Sequence, residues 1–419
     1  MKQAFVIFII LIGLLNAAFA QTTAELLGYA ADDRVLIINA DDFGMCHAEN
    51  VATINLLSSN RITSATIMVP CSWFPESAEF CRKNPQSDVG VHLTLTAEWG
   101  DYKWGSVASA AQIPSLLTAE GYFPDNELWV ELYAQPEQVE LELRAQIEKA
   151  LQFGVIPTHI DNHMASVYGL ILGKHFLEII YELSAEYGLP FRLPRDLSPP
   201  FDQLLPEVRK NALKAFAAQK VEQGFALPDF LISGEHGSTY EETFDMYCDM
   251  LTNLMPGVTE LYIHAAVESD EIKAITNAWR ARDWDYRIFK SDEMHAFIDS
   301  LGIQLVGWRD LQQLQAEQIG SAVEPIEKHP APDQFELVQN FPNPFNAATT
   351  IEFTLQTPSE IKLAIYNALG SEVTVLLEGF RDQGQYEISW NAEDCASGVY
   401  VARLIAPSMV ISRKMLLIR

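Results

Sequence analysis

The chain has 419 residues, 48% of them apolar, and a formal net charge of −28. This length exceeds one ordinary domain and predicts two or three. The acidic balance argues against nucleic-acid binding, which requires lysine and arginine to neutralise phosphates, and indicates a well-solvated surface.

Residues 1–20 have the pattern of a cleaved secretory signal peptide. One lysine precedes an unbroken apolar run, and Ala-Phe-Ala stands directly before Gln21. A transmembrane anchor is the alternative, but the run is short for a ~30 Å hydrocarbon core and lacks a charged stop-transfer flank. No later segment is apolar for long enough to span a bilayer, so we expect a soluble exported protein with no membrane span after signal removal.

The cysteine content fits an exported protein that does not depend on disulfides. Five cysteines are present, a sparse and odd number. Cys71 and Cys81 are the nearest plausible pair, and the alternative is that most of the cysteines stay free and buried.

Residues 34–315 alternate short β-branched runs with amphipathic helical patterns. The runs occupy 34–40, 64–69, 88–95, 158–161, 191–194, 230–234, 260–266 and 303–308. The helical patterns include 136–153, 171–187, 205–222, 240–254 and 291–301. Strands that alternate with helices predict βαβ units and a parallel sheet. The predicted fold class is therefore α/β, as a distorted (β/α) barrel, with a doubly wound open sheet as the alternative.

Residues 97–135 interrupt this alternation with a stretch rich in Trp, Tyr and Gly. An insertion of this length after a strand is typical of a binding loop or lid, and its aromatic rings would suit stacking against sugars. The alternative is a small packed subdomain.

Beyond residue 316 the pattern changes class. Residues 317–334 lose helical periodicity and contain three prolines, which predicts a linker. Residues 335–419 contain short alternating strands separated by turn signals, which predicts a small all-β sandwich. We therefore predict an α/β domain over 21–316, a linker over 317–334 and a sandwich domain over 335–419.

Three motifs that can carry chemistry each stand at the carboxyl end of a predicted strand. They are "NADDFG" at 39–44, "GVHLTL" at 90–95 and "THIDNH" at 158–163. The carboxyl ends of parallel strands meet at one edge, where active sites form in barrels and open α/β sheets. Aspartates and histidines from three strands can therefore converge there.

Strand alternation indicates which of these side chains face inward. His92 lies opposite Val89 and Val91, so it faces the barrel interior.

One aspartate with two histidines leaves coordination positions open on a divalent metal, which suits hydrolysis. This ligand set fits Zn²⁺ best, and oxygen-rich surroundings would also admit Mg²⁺ or Mn²⁺. A second carboxylate beside the metal can act as a base.

Residues 34 to about 312 resemble the YdjC-like carbohydrate deacetylases, also known as the ChbG family of chitooligosaccharide deacetylases. The resemblance is carried by "LIINADDFGMC", "VGVHLTLT", "PTHIDNH", "LYIHAAVE" and "LVGWRDL". It implies a distorted (β/α) barrel and a divalent metal used to remove acetyl groups from N-acetylated sugars. By the same resemblance, the metal ligands fall on Asp42, His92 and His163.

The resemblance also implies further roles. Asp41 becomes the general base, and His264 protonates the leaving amine or positions the substrate. His159 and Asp161 are expected to orient the metal ligands from behind. Arg192 is either a substrate contact or a salt-bridged structural residue.

The chain departs from the family pattern after His163. Where many members have more histidines, this chain has "HMASVYG", which puts specificity for chitooligosaccharides in doubt. Cys46 and His47, which follow "DDFG", are interpreted as packing and helix entry rather than as ligands.

The C-terminal segment has a resemblance of its own. "FELVQNFPNPFNAATTIEFTL", "YEISWNAEDCASGVYVARL" and the terminal "KMLLIR" resemble a type IX secretion sorting domain. This implies the type IX machinery as a partner and a secreted or outer-surface location in a Gram-negative bacterium. A carbohydrate-binding sandwich is the alternative.

The sequence thus predicts a secreted, metal-dependent carbohydrate N-deacetylase that acts on amino sugars. Two alternatives stay open: another metal-dependent amidase or esterase on the same scaffold, and a non-catalytic glycan-binding protein.

Overall fold

A computed structural model describes residues 21–197, 205–319, 335–338, 340, 342–355, 358–367, 372–392, 395–406 and 409–418. The predicted signal peptide, residues 1–20, lies outside these residues. The chain divides into two compact units, Met1–Val323 and Glu324–Arg419. Among the described helices, none is long and apolar enough to cross a bilayer.

One parallel sheet organises the first unit. Its strands are β1 (Arg34–Phe43), β2 (Ser64–Ile67), β3 (Val89–Leu93), β4 (Ile160–Asn162), β5 (Phe230–Ser233), β6 (Gly257–Ile263) and β7 (Gln304–Leu305). They pair in the order β4-β3-β2-β1-β6-β5, and β7 pairs with β1. From β1 to β4, each strand is paired with the next in sequence, and β6 and β7 both return to pair with β1, as in a barrel rather than a doubly wound sheet. The predicted distorted (β/α) barrel is confirmed as a parallel half-barrel.

The predicted strand at 191–194 does not form as a ladder. Phe191 makes a single parallel bridge to Ile160. Pro190 precedes this run and Pro194 ends it, and proline cannot donate to a sheet. The irregular wall continues through a hydrogen bond from the Arg195 amide to the Pro228 carbonyl, 2.9 Å long.

Helices connect the strands. They are α1 (Thr23–Leu26), α2 (His47–Ser58), α3 (Phe74–Lys83), α4 (Glu127–Tyr133), α5 (Pro136–Gln152), α6 (Leu177–Tyr187), α7 (Glu207–Glu222), α8 (Tyr240–Thr252), α9 (Asp270–Ile275), α10 (Trp279–Lys290), α11 (Asp292–Ser300) and α12 (Trp308–Ile319). Helix α5 shows why the periodicity predicted them, because Val139, Leu143, Ile147 and Ala150 lie on one face and are all buried. Helix α12 runs past residue 316, and residues 320–334 of the predicted linker lie outside the described part of the chain.

The alternation of β1 separates two apolar layers. Leu36 and Ile38 belong to the main core, whereas Val35 and Ile37 pack in a smaller cluster with Trp308. The smaller cluster fills the barrel interior near the amino ends of the strands. Toward the carboxyl ends, polar side chains replace these apolar ones along the same face.

The second unit is all-β, as the alternating pattern predicts. Strands β10 (Ser359–Asn367), β11 (Glu372–Arg381), β13 (Gly398–Ala406) and β14 (Met409–Leu417) form one antiparallel sheet, and β8 (Phe335–Leu337), β9 (Ala348–Leu355) and β12 (Gly384–Asn391) form another. Phe353 and Trp390, from the second sheet, belong to one buried core with residues of the first.

All five cysteines lie within the described residues, and all are free. Cys71 and Cys81 therefore form no disulfide, and the alternative of free, mostly buried cysteines is confirmed.

Candidate functional site

The end of β1 turns two consecutive aspartates toward the same cavity. Strict alternation would send Asp42 to the opposite face from Asp41. Instead, Asp42 adopts φ 65°, in the left-handed region that aspartate tolerates better than most residues. The register with β2 shifts at this point. Both carboxylates are consequently buried within one polar cluster.

Asp42, His92 and His163 present three donor atoms at the corners of a small triangle. The Oδ1 atom of Asp42 lies 3.4 Å from Nε2 of His92 and 3.2 Å from Nδ1 of His163. The two imidazole nitrogens are 3.3 Å apart. The structure thus brings together the three predicted ligands, from β1, β3 and the turn that follows β4.

This triangle fits a divalent metal. A tetrahedral zinc ion with bonds of about 2.0–2.1 Å separates its ligand atoms by about 3.4 Å. The Oδ1 atom of Asp42 is buried without a hydrogen-bond partner, which is costly unless a cation completes its surroundings. The fit rests on donor type, spacing and this orphaned oxygen.

A carboxylate stands behind each of the two histidines. Asp161 Oδ1 lies 2.6 Å from His92 Nδ1, and Glu98 Oε2 lies 2.9 Å from His163 Nε2. Such partners fix the ring orientation and the tautomer of a metal-binding histidine. The contact of Asp161 fits its predicted orienting role, whereas sequence reasoning missed Glu98.

Arg192 occupies the other side of Asp41. Its guanidinium donates two hydrogen bonds of 2.7 Å to the Asp41 carboxylate and forms ion pairs with Asp161 and Glu260. Burial favours the neutral form of Asp41, but Arg192 outweighs it and holds the pKa of that carboxyl well below its usual range. Arg192 is only 4% exposed, so the geometry favours a structural, salt-bridged role over contact with the substrate.

A second buried arginine, Arg282 of α10, holds the other aspartate. It donates to Oδ2 of Asp42 at 3.0 Å and also pairs with Glu49. Asp42 therefore directs Oδ2 to Arg282 and leaves Oδ1 for the triangle. The pKa of Asp42 stays well below its usual range because Arg282 and the two histidines offset the effect of burial.

The site carries an excess of buried negative charge. Six carboxyl groups stand against two guanidinium groups; the acids are Asp41, Asp42, Glu49, Glu98, Asp161 and Glu260. Burial raises the pKa of Glu49 well above its usual range and that of Glu260 to about 7, so these two carry less of the charge than the other four. Burial alone would lower the pKa of His92, yet Asp161 and Asp42 raise it to about 9. Glu98 and Asp42 likewise raise the pKa of His163 to about 10. Protons on these rings thus supply positive charge that a bound metal would provide instead.

His264 follows β6 and reaches the same cluster. Its Nε2 lies 4.0 Å from Oδ2 of Asp42, and its side chain is 36% exposed, so it borders both the triangle and solvent. Burial and the charge of Arg282 together hold its pKa below the usual value, against the opposing effect of Asp42.

His159 does not join the candidate ligands. Its ring stacks on Trp308 with centroids 4.7 Å apart, and its Nδ1 lies 3.0 Å from the Thr158 hydroxyl. The ring fills the space above Gly90, where a Cβ atom would come within 2.6 Å of it. His159 therefore lies one interior layer closer to the amino ends of the strands, and among the described residues no hydrogen bond joins it to a candidate ligand, as its predicted orienting role would require.

The beginning of the insertion packs over the site. Trp104 is buried, and its ring lies 6.0 Å from that of His163. Arg282 lies over the ring of Trp99, 5.4 Å from its centroid. This part of the insertion is a packed wall, whereas Tyr122 and Tyr133 are exposed farther along.

Cys46 and His47 stand at the entrance to α2, outside the triangle. Cys46 is buried at the N-cap position, and His47 bonds to Glu76 through Nδ1 at 2.9 Å. These placements match their interpretation as packing and helix entry.

Comparisons with known proteins identify relatives of the first unit. Residues 35–300 match the family model described as YdjC-like protein. A carbohydrate deacetylase of Thermus thermophilus is 31% identical over 260 residues, which cover 60% of this chain and 85% of the relative. A chitooligosaccharide deacetylase of Yersinia enterocolitica is 34% identical over 175 residues, covering 39% of this chain and 60% of the relative.

A solved structure shares the fold of the first unit. It is an Enterococcus faecalis protein described as a cellobiose-phosphate cleavage protein, with 26% sequence identity and a TM-score of 0.54. The match covers 67% of this chain and 99% of that protein.

The second unit matches a family model of its own, and the match to the first unit shows which family the chain belongs to. Residues 339–418 match the secretion system C-terminal sorting domain, which confirms the type IX resemblance over the carbohydrate-binding alternative. The match over 35–300 covers more than half of the chain, in the region that holds every candidate ligand. The chain therefore belongs to the YdjC-like protein family.

Proposed function

We propose that this chain is a secreted carbohydrate deacetylase that uses a divalent metal to hydrolyse the N-acetyl groups of amino sugars. The observation that carries the proposal is the buried triangle of Asp42, His92 and His163, with a carboxylate behind each histidine. The names of the relatives support the substrate class, because they are carbohydrate and chitooligosaccharide deacetylases.

The three triangle residues would hold the metal. When bound, a divalent ion in this position supplies a Lewis acid that activates water and polarises the acetamide carbonyl. The donor set fits Zn²⁺, and the surrounding carboxylates also suit Mg²⁺ or Mn²⁺. Asp161 and Glu98 would hold the two rings so that Nε2 of His92 and Nδ1 of His163 face the metal position.

Asp41 would act as the general base. Its pKa is held low by Arg192, so the carboxylate stays ionised across the neutral range and can accept a proton from water. Because this pKa is low, a protonated Asp41 would also give up the proton readily. His264 borders the site with a ring that is neutral at rest, so it can relay a proton to the departing sugar nitrogen.

The sorting domain supports export by the type IX machinery and a secreted or cell-surface location. Such export serves the outer membrane of Gram-negative bacteria, and residues 1–20 would carry the chain across the inner membrane first. We also propose that the catalytic domain spans 21–316 together with the end of α12 at Ile319, and that the sorting domain spans 335–419.

Acetate release from a panel of N-acetylated sugars, with and without chelator, tests this function. We expect chelator-sensitive release from N-acetylglucosamine oligomers and little from simple acetyl esters; the reverse preference would favour an esterase. His163→Ala removes one corner of the triangle, so it should abolish both metal binding and turnover. Turnover that survives in this variant would refute the ligand assignment, and a protein with no divalent metal and no activity would favour glycan binding without catalysis.

A further inference from the structure

His236 stands on the same edge of the sheet as the candidate ligands. It follows Ser233, the last residue of β5, by three positions. Strand β5 pairs in parallel with β6, which leads into His264. His236 and His264 are therefore carried to the same edge by neighbouring strands.

The buried carboxylate of Asp285, on α10, connects the two histidines. Its Oδ1 accepts hydrogen bonds from the Tyr247 hydroxyl at 2.6 Å and from His236 Nε2 at 2.7 Å. Its Oδ2 accepts the backbone N–H of His264 at 3.0 Å. Asp285 thereby fixes the imidazole of His236 and the backbone of His264 in one arrangement.

Gly234 makes this arrangement possible. A Cβ atom there would come within 2.1 Å of the Tyr247 hydroxyl, which passes beside the end of β5 to reach Asp285. Any other residue at this position would displace the tyrosine that shares the carboxylate.

The second ring nitrogen of His236 is open. Among the described residues, Nδ1 has no hydrogen-bond partner, although a quarter of the side chain is exposed and the ring is otherwise held in place. Burial lowers the pKa of His236, but the hydrogen bond and charge of Asp285 raise it above the usual value. Because Nε2 bonds to Asp285, Nδ1 carries a proton only when the ring is charged, and the buried carboxylate 2.7 Å away favours that form. The ring then presents an oriented N–H at the edge of the sheet that also carries the candidate ligands.

We propose that His236 binds the sugar substrate by donating a hydrogen bond from Nδ1 to an oxygen of the glycan. Sugars offer hydroxyl and ring oxygens around the reacting acetamide, and an oriented donor of this kind selects among them at small entropic cost. The proposal rests on the proposed carbohydrate function and adds a substrate-binding residue to it. His236 lies outside the triangle, so it takes no part in holding a metal.

Two amide variants separate substrate binding from structural support. In His236→Gln the amide nitrogen takes the place of Nε2, so it keeps the bond to Asp285 and loses the open donor. In His236→Asn the amide nitrogen takes the place of Nδ1, so it keeps the open donor and loses the bond to Asp285. A structural role alone predicts that the asparagine variant is the damaged one, whereas our proposal predicts that the glutamine variant binds sugar poorly.

Calorimetric titration of N-acetylglucosamine oligomers into the full chain measures this difference. A hydrogen bond to a charged group corresponds to roughly 10- to 100-fold in affinity, so His236→Gln should weaken Kd by at least about 10-fold at an unchanged melting temperature. His236→Asn should keep Kd within about 3-fold while melting earlier. In turnover, His236→Gln should raise KM much more than it lowers kcat. His295→Gln is the matched control, because among the described residues that ring bonds to the Phe289 carbonyl, at the end of α10 away from Arg282.

The outcomes also separate this inference from the proposed function. The wild-type protein could bind the oligomers with an affinity that depends on His236 and yet release no acetate. That result would refute the proposed deacetylase activity and support the role of His236 in sugar binding. A glutamine variant that binds as tightly as the wild type would overturn the role of His236, and so would a wild-type protein that binds none of the oligomers.

Discussion

Glu98→Gln tests whether the carboxylate behind His163 tunes metal binding. The substitution keeps the size of the side chain and an oxygen that can accept from His163 Nε2, where Glu98 now stands at 2.9 Å. It removes only the charge. Outer partners of metal-binding histidines typically contribute 10- to 100-fold to metal affinity, or about 1.4–2.7 kcal/mol.

The size of the effect should depend on pH. Glu98 helps to raise the pKa of His163 to about 10, so at neutral pH a metal must displace a proton from that ring. The glutamine variant holds this proton less tightly, which offsets part of its weaker attraction for the metal. We therefore expect a loss of roughly 10- to 100-fold near pH 10 and a smaller loss near pH 7.

Competition with a zinc-binding indicator dye, run on the full chain at both pH values, measures these affinities. Glu142→Gln is the matched control, because Glu142 is a buried carboxylate that accepts from the Val107 and Ala108 amides away from the triangle. An unchanged zinc affinity in the Glu98 variant near pH 10 would refute the reasoning. An equal loss in the control would do the same, because it would trace the effect to general destabilisation.

Three further predictions concern the polar cluster and the interior layer next to it. His92 and His163 have pKa values raised to about 9 and about 10, above the ordinary value near 6.5, so the stability they contribute is present below about pH 6.5 and is lost as pH rises through 9 to 10. Urea unfolding of the chelator-treated protein should therefore show lower stability at pH 10 than at pH 6.5, and His163→Ala should flatten that dependence. Asp41→Asn keeps a hydrogen bond to Arg192 but removes the proposed base, so kcat should fall roughly 100- to 10,000-fold while metal content, measured by mass spectrometry, is retained. Gly90→Ala places a Cβ atom within 2.6 Å of the His159 ring, which Trp308 holds in place, so thermal unfolding should report a loss of about 1–3 kcal/mol; an unchanged melting temperature would contradict this packing.

The alternation of strands and helices was readable from the sequence because each element buries a periodic face. Helix α5 and strand β1 show this most clearly, since their buried positions follow the 3.6-residue and two-residue periods. The run at 191–194 has the composition of a strand, but Pro190 and Pro194 at its ends reduce it to a single bridge. The prediction from composition did not take into account that proline lacks the backbone N–H that a strand must donate.

The convergence of Asp41, Asp42, His92 and His163 was predictable because the carboxyl ends of parallel strands share an edge. Of the residues behind them, Asp161 and Arg192 were named from the sequence, whereas Glu98 and Arg282 were not. Arg282 lies 240 positions from Asp42 in sequence, and no local pattern joins the two. A usable signal existed in α10 itself, where Arg282 and Asp285 occupy buried positions alongside Ile288 and Phe289. Charged residues on the buried side of an amphipathic helix indicate a buried ionic partner.

Helix α10 connects two functional elements through one turn of backbone. Arg282 holds Asp42, and Asp285, three residues later, holds the backbone of His264. A small translation of this helix would move Asp42, the candidate metal ligand, and His264, the proposed proton relay, together. Substitutions on its outer surface that shift the helix should therefore change both positions at once.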